Sequence, residues 1–353
     1  MNLINLGLAL SALIAMTVSF AIPGAYKDRL DMAAPQTRTL LRSAFSGADM
    51  AGMRIVAVGS RGLIAVSDDK AENWKQVPSP VASDLVTVRF IDANQGWIVG
   101  HDGVILHSSD GGSTWHKQMD GRQAQKLLAE HFGSLDAKGD PNAKRWLNEI
   151  ALNYANGPEQ SLLDLWFDDE NNGYVVGSFG TVFRTIDGGA SWQPLMEQVR
   201  SDELVHLNAI RRVKGDLYLA SERGVVFKLD RTTGRFEPLS TGYKGSFFGL
   251  VEHDAQPLAL GLLGNAYLYS DEGKAWTKVE TGLSANVTGA VPLSDGRILL
   301  LGLDGAASLL DRKGKVPVSV KTDYSKPLTG AIQLSANKAL LVGQGGLRFA
   351  ALP

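Results

Sequence analysis

Four aspartates stand out as residues whose type and spacing could do chemistry: Asp69, Asp110, Asp187 and Asp271, each five residues before a tryptophan (Trp74, Trp115, Trp192 and Trp276). Paired carboxylates are the machinery of glycoside hydrolysis, where one serves as acid and the other as base or nucleophile. That chemistry requires the two groups to face each other across a substrate. These aspartates instead recur in separate copies of one turn, so they point away from a common axis and from each other, and their expected role is structural. The six histidines (His101, His107, His116, His131, His206 and His253) include no His-x3-His pair, and zinc or other metal chemistry is not expected. The run Asp168-Asp169-Glu170-Asn171-Asn172-Gly173 begins like a calcium loop, but its twelfth position is Phe179 rather than Glu. The turn Asp92–Gly96 in the preceding copy marks both as hairpins. Cysteine is absent, which removes disulfides, thiolate sites and a Cys nucleophile. No phosphate loop or nucleophile elbow is present. No catalytic residue, metal or cofactor is assigned.

The elements that carry these turns are repeats. GWIVGHDGVILHSSDGGSTW around Gly100 returns as GYVVGSFGTVFRTIDGGASW around Gly177. The common core is an apolar run, Gly-x-x-Gly, a second apolar run, a polar turn and an aromatic residue. The second glycines are Gly62, Gly103, Gly180, Gly224, Gly264, Gly305 and Gly346, at intervals of 41, 77, 44, 40, 41 and 41 residues. A period near 41 is that of four-stranded propeller blades. The expected fold is therefore all-β: a seven-bladed β-propeller over residues 22–353. In the second copy the strands fall at Leu85–Phe90, Gly96–Val99, Val104–Ser108 and Trp115–Gln118. The seventh copy runs out after its third strand. Strand one of the first blade is placed near Leu40–Phe45, and the spare segment Tyr26–Met32 is expected to complete the last blade and cover its edge.

The 353 residues carry 35 Lys+Arg against 37 Asp+Glu, a formal charge of −2. This lacks the basic excess that phosphate backbones demand, so nucleic acid is not an expected partner. Glycine is enriched, 39 copies against about 25 at ordinary usage, as turn-rich β structure requires. Leu6–Ala21 is an apolar run ending in Ser19-Phe20-Ala21, small residues that suit signal-peptidase cleavage before Ile22. Residues 1–21 are read as a signal peptide, with an uncleaved membrane anchor as the rival. Both place the rest of the chain outside the cytoplasm, in the periplasm.

Ser108–Trp115 and Thr185–Trp192 match the bacterial-neuraminidase repeat, or Asp-box, and the copies at Asp69 and Asp271 are degenerate versions. Sialidases share this box, but their arginine triad and Tyr/Glu nucleophile pair find no counterpart here. A sialidase-like hydrolase or glycan-binding propeller is the alternative reading. The units Gly96–Trp115 and Gly173–Trp192 resemble the photosystem II stability/assembly-factor family, and the resemblance covers nearly all of the mature chain. It implies a non-enzymatic scaffold that assists membrane-protein assembly, with some bacterial relatives tied to RND/MMPL-type exporters. Two departures, no lipidated Cys and scattered arginines in place of an arginine-rich patch, point from a photosystem client towards another inner-membrane complex.

The long interval reflects an insertion, residues 120–159. Asp120 with Gln123 reads as a helix N-cap with its capping box. Ala124, Leu127, Leu128 and Phe132 form one apolar stripe that Gly133 should end. Asp140-Pro141 starts a second helix with Ala143, Trp146, Leu147, Ile150, Ala151 and Tyr154 inward, ended by Asn156-Gly157-Pro158. This helical hairpin should stand on the face carrying the Gly-x-x-Gly turns. Its Leu127, Leu128, Phe132, Trp146 and Ile150, with Arg61, His101, Phe179, Arg223, Leu262 and Leu263 of the turns, form the candidate partner-binding surface. The bland alternative is that the stripe packs onto the propeller rim.

Overall fold

The computed structural model describes residues 27–201, 203–312 and 316–353. The expected signal peptide or anchor lies outside these residues. Among them are seven antiparallel sheets, six of four strands and one of three, each in simple up-and-down order. The seven first strands surround a central cavity of about 350 Å³, so the chain is a seven-bladed propeller.

The core lies between the blades. Seven hydrophobic clusters fill the seven blade interfaces. This is why each second strand is a continuous apolar run: Ile298–Gly302 is buried at every position, one face against each neighbouring blade. In the second blade the strands are Leu85–Phe90, Gly96–Gly100, Ile105–Ser108 and His116–Met119, within a residue of expectation at each boundary.

The ring closes differently from the expected strand exchange. The last sheet keeps three strands, Leu328–Ser335, Lys338–Gly343 and Gly346–Ala351. Residues 27–32 instead turn at Arg29–Asp31 over the interface of blades one and two, burying Leu30 there. The Arg29 carbonyl accepts the Ala82 N–H and the Leu30 carbonyl accepts Lys117 Nζ. An apolar side chain entering a closed interface outweighs pairing at an exposed edge. Strand one of the first blade is Phe45–Ala51, not Leu40–Phe45, because its hairpin to Arg54 turns tightly at Gly52, which has φ +62°. Leu40–Arg42 is a 3-10 turn packed beside Gly346.

Side-chain hydrogen bonds between successive first strands tie the ring near its axis. Phe90 N–H donates to Asp49, Thr87 to the Leu163 carbonyl, Ile210 N–H to Asp164, and Asn208 to the Phe247 carbonyl. Thr288 donates to the Leu328 carbonyl, and Thr329 to the Phe45 carbonyl across the closure. The first and last blades thus meet through an apolar interface and an axial hydrogen bond, as most neighbouring blades do.

The insertion forms helix α1 (Gly121–Ala137) and helix α2 (Ala143–Asn153). The Asp120 capping box is present as expected. Gly133 does not end α1, since a mid-helix glycine costs only about 1 kcal/mol and the buried Phe132 with its neighbour Leu135 holds the next turn down. The helix stops at Gly139, with φ +82°.

Candidate functional site

The Gly-x-x-Gly turns are built by close backbone approach. A Cβ on Gly59 would lie 2.1 Å from the Ala44 carbonyl oxygen, and one on Gly224, at φ +71°, 1.7 Å from that of Tyr243. Only glycine allows each turn to press against the chain entering its own blade or linking to the next. Between the glycines, Arg61, Asp102, Phe179, Arg223 and Leu263 adopt left-handed φ of 53–59°, which costs an L-residue roughly 1–2 kcal/mol. Side chains of the inter-blade connections hold three of these amides: Arg61 N–H donates to Asp84, Phe179 N–H to His206 Nδ1, and Leu263 N–H to Asn286.

The geometry sets exposed side chains on rigid backbone. Arg61, His101 and Arg223 are exposed, Leu262 is half-buried, and Phe179 and Leu263 are 37% and 73% exposed. His101 Nδ1 lies 3.2 Å from Ser161 Oγ, Phe179 meets the His206 ring edge-on, and Arg223 pairs with Glu203. Asp102 differs from its counterparts. It is buried, and accepts from Ser83 Oγ at 2.6 Å and from Arg29.

The hairpin stands beside this face, with Gly103 N–H donating to the Gln160 carbonyl at its exit. Its stripe divides. Leu128, Phe132 and Ile150 are buried together with Met119, Leu162 and Met196, so these three candidates dock the hairpin on blades two and three and present no surface to a partner. Leu127 and Trp146 are half-buried, and Trp146 stacks on Phe132 at 5.2 Å. Asp120 anchors the base through Lys117, Arg122 and the first-turn amides. Burial pushes its carboxyl up, but the Arg122 and Lys117 hydrogen bonds prevail and hold it at about 2.

The repeated aspartates are turn-builders. Asp110 accepts from Ser108 Oγ, Thr114 Oγ1 and the Ser113 and Thr114 amides. Its slight burial raises the carboxyl, and these bonds overcome that to hold it at about 2. Asp69 and Asp187 are arranged alike and are also depressed, chiefly by hydrogen bonds from Asn73 and Ser191 respectively. Asp271 makes none of these turn bonds and pairs instead with Lys228 of the preceding blade, at 3.6 Å. Trp74, Trp115, Trp192 and Trp276 each lie between neighbouring blades. Asp169 accepts the Asn171 and Asn172 amides, and Asp168 pairs with Arg212, so this acidic run is a hairpin turn.

The first strands around the axis hold charges the sequence reading did not single out. Asp49, Arg89 and Arg211 occupy the same place in the first strands of blades one, two and four, and Asp164 bridges from blade three to Arg211. Aligning the first strands of the repeats is the signal that finds them. Burial pushes the Asp164 carboxyl up to about 6, against the Arg89 charge and the Ile210 N–H. The cavity wall includes Arg89, Arg211 and Asp164 but no Tyr or Glu among the described residues. It therefore lacks the nucleophile pair that a sialidase site requires.

A structure of YCF48 bound to D1 peptide superposes with a TM-score of 0.63 at 16% identity, covering 91% of this chain and 96% of that one. Virginiamycin B lyase from Staphylococcus aureus gives a TM-score of 0.66 at 7% identity, over 91% of this chain and 98% of that one. These likenesses concern the fold. In sequence, the chain is 24% identical over 244 residues to the photosystem II assembly lipoprotein Ycf48 of Synechococcus sp. (strain CC9902), covering 62% of this chain and 70% of that protein. It is 29% identical over 142 residues to the chloroplastic photosystem II stability/assembly factor HCF136 of Cyanidioschyzon merolae. That alignment spans 35% of this chain and only 32% of the relative. The family model described as photosynthesis system II assembly factor YCF48 matches residues 66–147 and 140–291. With well over half the chain inside that match, the protein belongs to the YCF48 assembly-factor family.

Proposed function

We propose that this protein is an exported, non-enzymatic scaffold that binds a protein belonging to a membrane complex, through the face formed by the Gly-x-x-Gly turns and the helical hairpin. The observation that carries the reading is the placement of Phe179 and Leu263, large apolar side chains exposed at turns that hold them in left-handed backbone. Strain of this kind persists where the surrounding structure over-determines it, and it gathers at functional sites. Leu127 and Trp146 extend the surface on the hairpin side. Family relatives are named as assembly factors, and one is described with a bound D1 peptide, which supports a protein client. A periplasmic location rests on the sequence reading of the N-terminus, and an inner-membrane client on the family resemblance and the two departures from it. An RND/MMPL-type exporter as that client rests on the sequence resemblance alone and draws no support from these relatives.

Site-specific photo-crosslinking in cells tests the proposal. Crosslinkers at Phe179, Leu263 and Leu127 should capture one and the same membrane protein, which a crosslinker at Lys278 should not. Crosslinks confined to the propeller itself would refute this face as the docking surface.

A further inference from the structure

We propose that the open edge of the seventh blade, strand Gly346–Ala351, is a strand-addition site that takes an extended segment of a partner protein in which acidic and apolar side chains alternate. The site is separate from the apolar turns at Phe179 and Leu263.

Three observations carry this. First, the seventh sheet has three strands where the other six have four, and among the described residues nothing pairs beyond Gly346–Ala351. In the register with Lys338–Gly343, the Leu352 N–H donates to the Asn337 carbonyl. By the alternation of an antiparallel ladder, Arg348 and Ala350 then bond inward, and the backbone groups of Leu347, Phe349 and Ala351 face outward. The Leu347 carbonyl confirms this direction, since it accepts from the Arg348 guanidinium at 2.8 Å. Exposed edges of this kind are templates for pairing with another chain.

Second, the side chains on both sides of this strand differ from their counterparts. By register with the second strand, Phe349 takes the place of Val66, His107, Arg184, Lys228, Leu268 and Leu309, all buried or half-buried, while Phe349 is 48% exposed. Arg348 takes the place of Ala65, Leu106, Phe183, Phe227 and Ser308, each at most 1% exposed, and of the half-buried Tyr267, yet Arg348 is exposed. The blade is thus uncovered on an apolar side and a cationic side, and neighbouring residues of an added strand would meet one each.

Third, the charge on the cationic side is concentrated. Arg348 lines a groove of about 310 Å³ with Arg42 and Lys326, against one carboxylate, Asp323. On the opposite side Lys338 sits over the Phe349 ring at 3.8 Å. Acidic side chains of the added strand would meet Arg348, Arg42 and Lys326, while its apolar side chains would cover Phe349.

The test uses the full chain and a fluorescein-labelled hexapeptide alternating glutamate and valine, matching the six residues of the strand, with a lysine/valine hexapeptide as control. Anisotropy should show binding of the acidic peptide only, and hydrogen exchange should show slowed amides at Phe349 and Ala351. Ala351→Pro removes an outward N–H without touching a bond to the neighbouring strand, and should weaken binding at least tenfold. Arg348→Glu, on the exposed surface, should abolish the preference for the acidic peptide, while Leu263→Glu should leave binding unchanged. Equal binding of both peptides, or undiminished binding by a folded Ala351→Pro variant, would overturn strand addition. Binding that appears only after residues 1–26 are removed would assign the edge to the chain's own N-terminal segment and overturn the partner. Failure here alongside capture from Phe179 and Leu263 leaves the proposed docking face standing.

Discussion

Replacing Phe132 by Ala tests whether the hairpin is a docked structural unit. Phe132 is fully buried in the cluster that joins α1 and α2 to blades two and three, and it stacks on Trp146 at 5.2 Å with an interplanar angle of 18°. Truncation of a buried Phe costs about 3–5 kcal/mol, and the lost aromatic contact lies within that range. Taking about 4 kcal/mol, and tenfold per 1.4 kcal/mol, opening of the hairpin should become roughly a thousandfold more frequent. Hydrogen exchange read by mass spectrometry should show this as lost protection across Gly121–Asn153, with the blades on the far side of the ring little changed. Leu152→Ser, at a position 71% exposed, should leave protection as it was. Equal protection of the hairpin in Phe132→Ala and the parent would refute the reasoning, because the stripe would then not be what holds the hairpin down.

Asp110→Ala should cost about 1–3 kcal/mol by removing hydrogen bonds to a charged acceptor, whereas Asp271→Ala should stay within about 0.5 kcal/mol; urea titration distinguishes them. The Asp120 carboxyl is depressed to about 2 in the folded state, so its stabilisation is present above the unfolded value near 4 and is lost as pH falls from 4 to 2. Melting of the parent should therefore decline over that window by roughly 2 kcal/mol more than that of Asp120→Asn. Leu263→Gly removes left-handed strain and should raise stability by up to about 1 kcal/mol while weakening client capture, so a simultaneous gain in melting temperature and in capture would contradict the assignment of that side chain to docking.

Much of this architecture is local in origin and so could be read from the sequence. The repeated glycines mark places where backbone meets backbone, the recurring Asp and Trp residues close a short turn and fill a blade interface, and Asp120 with Gln123 caps a helix through bonds spanning three residues. The turn and cap contacts span a few residues, the glycines and tryptophans meet partners at a fixed place in each repeat, and repetition makes those positions visible. What the sequence could not decide depended on neighbours distant in the chain. Whether residues 27–32 pair with the last blade or bury Leu30 between the first two is a competition among surfaces that only closure of the ring creates. Gly133 ends a helix by propensity, yet α1 continues because Phe132 and Leu135 find partners on the propeller. Leu128 and Leu127 are adjacent and chemically identical, but the hairpin's seating on blades two and three buries one and leaves the other half-buried. Tertiary packing likewise set Asp164 against Arg211 at the axis and left Phe349 uncovered on an unpaired edge, since side chains on different blades acquire neighbours only when the ring has closed.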